Sequence, residues 1–224
     1  MASSISLSGP VDGVAWLTLD RPEKKNALSI ALRDEVSDAL DGLAVDDALK
    51  VLVITGAAGI FSAGFDLSEF GDRSPAHQER LWASSDRFHH TVLRFPLPVI
   101  AAVNGPALAG GFDLAVLADL RLAAEEARFA HPEQAWADVV YRPLRELVGA
   151  ALARELVLTG RNVDAAEALR IGLVNRVVPA ADLRAAVEEV AASIAVAPRA
   201  VLVRSKAKFL AAAAIDPGLA TLDL

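Results

Sequence analysis

Cysteine is absent from this sequence of 224 residues, and histidine occurs only four times. The lack of cysteine excludes disulfide bonds, thiolate nucleophiles and zinc sites built from cysteine. Metal sites made of histidine and carboxylate groups stay open in principle, but four scattered histidines argue against one. We therefore expect no metal site.

Long apolar segments are also lacking, although 54% of the residues are hydrophobic. The longest candidate, Pro98–Ala118, is interrupted by Asn104, by glycines and by Asp113, whereas a membrane-spanning helix needs about 18 or more apolar residues. The first ten residues have neither the cationic and apolar regions of a signal peptide nor the arginine content of a transit peptide. We expect a soluble, cytoplasmic protein that does not bind membranes.

Positive charge is in deficit, with a net charge of −7 and a pI near 5.1. This balance argues against a nucleic-acid partner and against an anionic membrane surface. An anionic ligand would need a local basic patch, and each of two clusters is either such a patch or a set of solvated charges. The clusters are Arg21, Lys24 and Lys25 near the start and Arg204, Lys206 and Lys208 near the end.

The first two thirds of the chain alternate between strand and helix patterns, and its size favours one domain. Short, β-branched apolar runs at Val51–Thr55 and Val99–Val103 are typical of strands buried on both faces. Val14–Leu19 has the partial alternation of another strand, and Ser29 is a suitable N-cap for an amphipathic helix after it. These patterns predict an α/β fold.

Beyond Arg142 the pattern is mostly helical. Glycine or proline separates three predicted helices, and Asp182 is a suitable N-cap for the third. The predicted helices are Leu144–Leu158, Asp164–Arg170 and Asp182–Ile194.

Two segments, residues 51–67 and 98–114, combine a buried strand with a glycine turn. In the first, Ala63-Gly64 can bend sharply and leave the N–H of Phe65 unbonded. In the second, a helix begins near Gly110, so its first N–H groups lack intrahelical partners and carry the positive end of the helix dipole. Two such N–H groups could converge on one oxygen atom, as an oxyanion hole requires.

Both segments resemble the crotonase superfamily, the enoyl-CoA hydratases and isomerases, over approximately residues 5–208. The resemblance implies a spiral of ββα units followed by a helical region, which is shortened here. It predicts a core domain over residues 1–195 and a short helical extension of the same domain over residues 196–224. It also implies a homotrimer or a dimer of trimers.

The same resemblance assigns roles to individual residues. Phe65 and Gly110 would supply the two oxyanion N–H groups, Glu133 would transfer protons, and Asp113 would be the second catalytic acid. We expect His131, two positions before Glu133, to be structural or to lie at the rim of the site. Contacts with the substrate are expected from Lys24, Ala63, Gly64, Asp66, Leu67, Trp136 and Tyr141.

The chain departs from the family pattern at Asp113 and in the segment that follows Glu133. Asp113 stands where hydratases have glutamate, so its carboxylate retreats by about 1.5 Å if the backbone is unchanged. Stabilisation of the helix N-terminus would also explain an acid there. No glycine-rich loop follows Glu133, and Trp136 and Tyr141 either line an acyl pocket or belong to the core.

The resemblance implies an acyl-CoA thioester as the substrate and no cofactor beyond the coenzyme A of that substrate. Hydration of a 2-enoyl-CoA is favoured if Asp113 positions water beside Glu133. Isomerisation of a 3-enoyl-CoA to a 2-enoyl-CoA follows if Glu133 acts alone. A protein that binds acyl-CoA without catalysis is the third alternative.

Overall fold

The computed structural model describes residues 3–213 and residue 220. Within that part of the chain there are nine strands, which are Ile5–Val11 (β1), Val14–Leu19 (β2), Val51–Gly56 (β3), Val99–Val103 (β4), Ala107–Leu108 (β5), Leu120–Ala124 (β6), Arg128–Ala130 (β7), Val163–Asp164 (β8) and Arg176–Val178 (β9). The α-helices are Ile30–Ala44 (α1), Pro75–Leu93 (α2), Gly110–Leu117 (α3), Arg142–Val148 (α4), Ala150–Thr159 (α5), Ala165–Arg170 (α6), Leu183–Ala195 (α7) and Arg199–Ala213 (α8).

The strands form two sheets. The larger sheet has the order β1-β2-β3-β4-β6-β9, with β1 antiparallel to β2 and the other neighbours parallel. The smaller sheet has the order β5-β7-β8, and Ser62 extends it through a bridge to Ala107. In each repeating unit, the chain therefore contributes one segment to the larger sheet and one to the smaller sheet before a helix begins. The predicted α/β fold, with its spiral of strand–strand–helix units and helical C-terminal region, is confirmed.

The central strands β3 and β4 are buried on both faces, as their apolar runs predict. Leu52 and Ile54 face the larger core cluster, which includes residues of α1, α2 and α3. Val51 and Val53 pack on the opposite side against a smaller cluster that includes residues of α7. Each fully buried side chain of this size contributes about 1.5–3 kcal/mol to folding, so the strand ends that lead into the two turns are held firmly.

Of the helix ends and caps predicted from the sequence, some are confirmed and others are wrong. The Ser29 side chain accepts a hydrogen bond from the Leu32 N–H at 3.3 Å, which confirms the predicted N-cap of α1. The single helix predicted over Leu144–Leu158 is wrong, because Gly149 adopts φ +79° and divides it into α4 and α5. Asp182 makes no capping side-chain bond, since it lies in a helical conformation at the end of a preceding 3₁₀ turn.

The last helix, α8, packs against the larger core cluster through residues such as Leu202. Lys206 is almost fully buried, and its Nζ lies 2.7 Å from both carboxylate oxygens of Asp119. For Lys206, both alternatives for that cluster are therefore wrong, because a buried and paired ammonium group belongs neither to a basic patch for an anionic ligand nor to a set of solvated charges. Residues 214–219 and 221–224 of the predicted extension lie outside the described residues, and the trimer stays a prediction.

Candidate active site

A cavity of about 270 Å³ opens where the turn after β3, the start of α3, the helix α2 and the segment after β7 meet. Its wall is predominantly apolar and aromatic, with few polar side chains. This composition is typical of small-molecule sites. The lining residues come from the turn (Ala63, Phe65, Leu67, Phe70), from α2 (Trp82, His89), from the start of α3 (Ala109, Gly110, Asp113) and from the segment after β7 (Pro132, Glu133, Trp136, Ala137, Asp138).

The turn that follows β3 is anchored on both sides and leaves one N–H group unbonded. The Leu28 N–H donates to the Gly64 carbonyl at 2.8 Å, and the Ala63 N–H donates to the Lys25 carbonyl at 3.0 Å. Gly64 adopts φ +85°, a conformation that glycine reaches without steric cost. Within residues 3–213, the N–H of the next residue, Phe65, donates to no protein acceptor.

The second turn places another unbonded N–H beside the first. The Ala109 N–H donates to the Ala130 carbonyl at 2.9 Å, and Ala109 itself adopts φ +52°. Gly110 is then the first residue of α3, where an N–H has no intrahelical partner and lies at the positive end of the dipole. No acceptor among the described residues takes its hydrogen.

Close packing between the two turns explains their glycines. A Cβ atom added to Gly110 would lie 2.8 Å from ring atoms of Phe65, and one added to Gly64 would lie 2.6 Å from the Cβ of Ala109 and 3.1 Å from the Gly110 nitrogen. A Cβ on Gly111 would lie 2.5 Å from the Ser62 carbonyl oxygen. The two unbonded N–H groups therefore belong to backbones in direct contact, and both residues line the same cavity.

Two acids lie deep in the same cavity. Asp113 is in the first turn of α3, and Glu133 is in the 3₁₀ turn Pro132–Ala135 after β7. Both side chains are buried, with Asp113 5% and Glu133 8% exposed. The fold therefore brings together the four residues that the resemblance named as oxyanion donors and acids.

His131 lies between the two acids. Its Nδ1 is 3.0 Å from Glu133 Oε1, its Nε2 is 3.7 Å from Asp113 Oδ1, and the Phe112 ring stacks on it at 4.6 Å. The rim alternative for His131 is wrong, because the imidazole is 1% exposed, whereas its hydrogen bond to Glu133 is compatible with the structural alternative. Its spacing of two residues from Glu133 on an extended segment was the available signal.

Burial and mutual contact shift the pKa values of Asp113 and His131. Desolvation raises the pKa of Asp113 to about 7, with attraction to His131 opposing the shift and the charge of Glu133 adding to it. Burial by itself would lower the pKa of His131, but the charge of Asp113 and the hydrogen bond to Glu133 outweigh it, so that pKa is raised. Asp113 can therefore exist in both protonation states near neutral pH.

Three atoms of the group have no hydrogen-bond partner among the described residues: Asp113 Oδ1, His131 Nε2 and Glu133 Oε2. Buried polar atoms are rarely left in that state. Each of the three residues also offers one metal-ligand atom within 4.8 Å of the others. The shared hydrogen bond already occupies His131 Nδ1, and the expected absence of a metal stays a prediction.

The predicted substrate contacts divide into two groups. Ala63, Leu67 and Trp136 line the cavity, and Leu67 and Trp136 are 67% and 63% exposed there. Tyr141 does not line it; the residue precedes α4 and packs against the larger core cluster, so the structure favours the core alternative. Gly64 lies behind the wall, where its role is to permit the turn.

Asp66 and Lys24 also lie away from the cavity wall. The Asp66 carboxylate caps the 3₁₀ helix Leu67–Gly71 through the Ser68 N–H and forms an ion pair with Arg21 at 3.1 Å. Hydrogen bonds from Ser68 and Arg21 hold the pKa of that buried carboxyl below its ordinary value, although desolvation opposes them. Arg21 thus has an internal partner, while Lys24 and Lys25 are exposed, and a contact with coenzyme A stays a prediction.

Sequence reasoning missed seven residues of the wall, which are Phe70, Trp82, His89, Ala109, Pro132, Ala137 and Asp138. Trp82 and His89 are seven positions apart on α2, which is two helical turns and places them on one face. That spacing was visible, but the apolar stripe of α2 at Leu81, Phe88 and Val92 is the stronger periodic signal.

The model of the family described as enoyl-CoA hydratase/isomerase matches residues 10–223. The chain belongs to the enoyl-CoA hydratase/isomerase family. Among curated relatives, it is 36% identical over 192 residues to a hydroxycinnamoyl-CoA hydratase-lyase of Pseudomonas fluorescens, an alignment that covers 82% of this chain and 70% of the relative.

Solved structures of the family superpose closely on the chain. An enoyl-CoA hydratase from Bacillus anthracis gives a TM-score of 0.90 at 31% identity, covering 95% of this chain and 84% of the other. A monofunctional enoyl-CoA isomerase from M. smegmatis gives a TM-score of 0.83 at 32% identity, covering 96% and 95%. Family membership therefore supports an enzyme of acyl-CoA chemistry, while the relatives differ in their named reactions. Within the described residues, no helix is both long and apolar enough to cross a membrane.

Proposed function

We propose that this protein catalyses the reversible hydration of a 2-enoyl-CoA thioester. The observation that carries the proposal is that two buried carboxyl groups, Asp113 and Glu133, share one cavity with the unbonded N–H groups of Phe65 and Gly110. Hydration needs a site for the thioester oxygen and groups that hold and deprotonate water. Isomerisation needs only one base, so the second buried acid favours hydration.

The backbone donors act on the thioester carbonyl. Its oxygen accepts hydrogen bonds from the Phe65 and Gly110 N–H groups, and these bonds strengthen as negative charge develops on the enolate. Each donor of this kind contributes about 3–4 kcal/mol to stabilising a transition state. Withdrawal of electrons through the conjugated thioester makes the β-carbon electrophilic.

The acids act on the water. His131 donates to Glu133 Oε1 and leaves Oε2, which has no other partner, for the water. Glu133 accepts one proton as the water oxygen bonds to the β-carbon and the π electrons move toward the thioester. The α-carbon of the enolate then takes that proton from Glu133. The net change is the addition of one water molecule across the double bond. Asp113 orients the water, and its raised pKa lets it donate or accept a hydrogen bond near neutral pH.

Isomerisation is the second candidate, because one observation favours it. Asp113 is shorter than the glutamate of the hydratase pattern, and a retracted carboxylate orients water less well. Glu133 alone would then move a proton between the α- and γ-carbons. The likeness to the monofunctional isomerase of M. smegmatis is compatible with this alternative.

The test supplies the purified protein with crotonyl-CoA and, separately, with 3-hexenoyl-CoA. We expect the enoyl absorbance of crotonyl-CoA to fall as 3-hydroxybutanoyl-CoA forms. Conversion of 3-hexenoyl-CoA to the 2-enoyl isomer without hydration of crotonyl-CoA would replace our proposal with the isomerase. Binding of both thioesters without conversion of either would favour the non-catalytic alternative.

A further inference from the structure

His89 is a buried histidine of the cavity wall that the proposed reaction does not use. It lies on α2, is 1% exposed, and lines the cavity together with Phe65 and Gly110. Its ring is 6.1 Å from the Phe65 ring and 5.2 Å from the Phe88 ring, measured between centroids. The aromatic neighbours fix the plane of the imidazole.

One hydrogen bond fixes which ring nitrogen of His89 carries the proton. Nδ1 lies 2.8 Å from the backbone carbonyl oxygen of Ser85. Because a carbonyl oxygen can only accept, Nδ1 must donate. Desolvation lowers the pKa of His89 to about 4, and the nearby positive charge of Arg33 acts in the same direction. The imidazole is therefore neutral near pH 7, and Nε2 is a hydrogen-bond acceptor.

That acceptor has no partner among residues 3–213 and 220. Arg33, the nearby cation, uses its Nε for Ser84 Oγ and its Nη2 for the Leu81 carbonyl, and it stacks on Phe65 at 4.2 Å. Its Nη1 also has no partner, so a water between the two groups is the competing explanation. A buried acceptor without a donor is costly, and the cavity is where a donor can arrive.

The remaining wall of the cavity indicates the shape of the group that brings the donor. Phe70 meets Trp82 edge to face at 6.2 Å and Trp136 at 6.3 Å, and with Phe65 these rings form an aromatic wall. Aromatic side chains pack favourably against flat aromatic groups. A single neutral acceptor in such a wall suits an uncharged hydroxyl and disfavours a carboxylate, which has no proton to donate.

We propose that His89 Nε2 accepts a hydrogen bond from a hydroxyl group on the acyl moiety, so that the protein selects hydroxylated aromatic acyl-CoA thioesters over unsubstituted ones. This inference rests on the proposed function, since it places the acyl group of the thioester in the cavity. His89 is thus a specificity-determining residue and takes no part in the proton transfers.

The test measures binding without turnover, so that it is separate from the proposed reaction. Isothermal titration calorimetry compares 3-phenylpropanoyl-CoA, whose saturated chain cannot be hydrated, with its 2-, 3- and 4-hydroxyphenyl counterparts. At least one hydroxylated ligand should bind the wild-type protein roughly 10- to 100-fold more tightly, the range expected when a buried acceptor gains its donor. If none binds more than twofold more tightly, the inference is overturned and a water occupies the position.

Variants connect the preference to His89. In His89→Phe the preference should fall to within about twofold, whereas His89→Gln, which keeps an acceptor, should retain part of it. His90→Phe is the matched control, because the adjacent histidine lies outside this cavity, and it should keep the full preference. An undiminished preference in a folded His89→Phe protein would assign the hydroxyl to another residue. A protein that shows the preference but hydrates no 2-enoyl-CoA would refute the reaction and leave this inference standing.

Discussion

The cavity has a backbone half and a side-chain half, and they are built differently. In the backbone half, Phe65 and Gly110 contribute N–H groups whose positions depend on turns pinned by local hydrogen bonds. In the side-chain half, Asp113, His131 and Glu133 are brought together from α3 and the segment after β7, and burial and mutual contact shift the pKa values of Asp113 and His131. Position 65 should therefore tolerate many side chains, whereas the side-chain half depends on the identity of each group.

The largest effect is expected for Glu133→Gln, which keeps the size of the side chain and removes the base. Turnover should fall about 10²–10⁴-fold, the usual contribution of a positioned acid or base. Steady-state kinetics with crotonyl-CoA measures it, and the exposed Glu126→Gln variant serves as the control. Near-normal activity of Glu133→Gln would remove the side-chain half from the mechanism.

In the backbone half, Gly110→Pro deletes one oxyanion donor. Loss of such a donor costs about 10²–10³-fold in kcat, and proline is tolerated in the first turn of a helix. Gly110→Ala is the matched control, since both variants add a Cβ near the Phe65 ring and only proline removes the N–H. Circular dichroism reports folding, and equal turnover by the two folded variants would contradict the assignment of this N–H.

Asp113→Asn should lower kcat roughly 10- to 100-fold, as expected for one lost hydrogen bond to water, with little change in the affinity for coenzyme A. The exposed Asp138→Asn, at the same cavity, should have almost no effect. Full hydratase activity in Asp113→Asn would leave the two-acid mechanism without its second acid, and Glu133 alone would act on the water.

The pH dependence of stability gives a second measurement on Asp113. Its folded pKa is raised from 3.8 to about 7 by desolvation, so its favourable contribution is complete below pH 3.8 and is lost as pH rises through about 7. Relative to wild type, the thermal midpoint of Asp113→Asn should therefore be higher at pH 8 than at pH 5. A difference that does not change between those pH values would show that Asp113 is ionised throughout.

The smallest catalytic effect is expected for Phe65→Leu, because the donor at this position is a backbone N–H. Turnover should stay within about threefold of wild type. Stability should fall by about 1–2 kcal/mol, since the ring packs against Arg33 at 4.2 Å. Denaturant unfolding and kinetics on one preparation separate the two results. A loss of activity as large as that of Gly110→Pro would mean that the ring itself positions the substrate.

The sequence was sufficient to predict the backbone half. Its determinants are local: apolar strands at Val51–Thr55 and Val99–Val103, a glycine with positive φ, and the start of a helix. The edge strand β1 was not predicted, because serines, glycine and proline obscure its alternation and most of its residues are exposed. The helix break at Gly149 was missed because the apolar pattern continues across it.

The side-chain half was predictable only in part. Motif position identified Asp113 and Glu133, but the place of His131 between them depends on how β7 packs beside α3, which no local pattern specifies. Likewise, Tyr141 and Trp136 have the same kind of sequence context, and only the tertiary fold places one in the core and the other at the cavity.

The contact between Gly64 and Ala109 makes the two turns dependent on each other in sequence variation. A side chain at position 64 would overlap the Cβ of Ala109 and approach the backbone that carries the Gly110 N–H. Glycine at position 109 would relieve only one of these contacts, because the Leu108 carbonyl oxygen would still lie 2.8 Å from a Cβ at position 64, where φ is +85°. The second turn therefore fixes glycine in the first, and single-site and paired libraries at positions 64 and 109 should both return glycine at position 64.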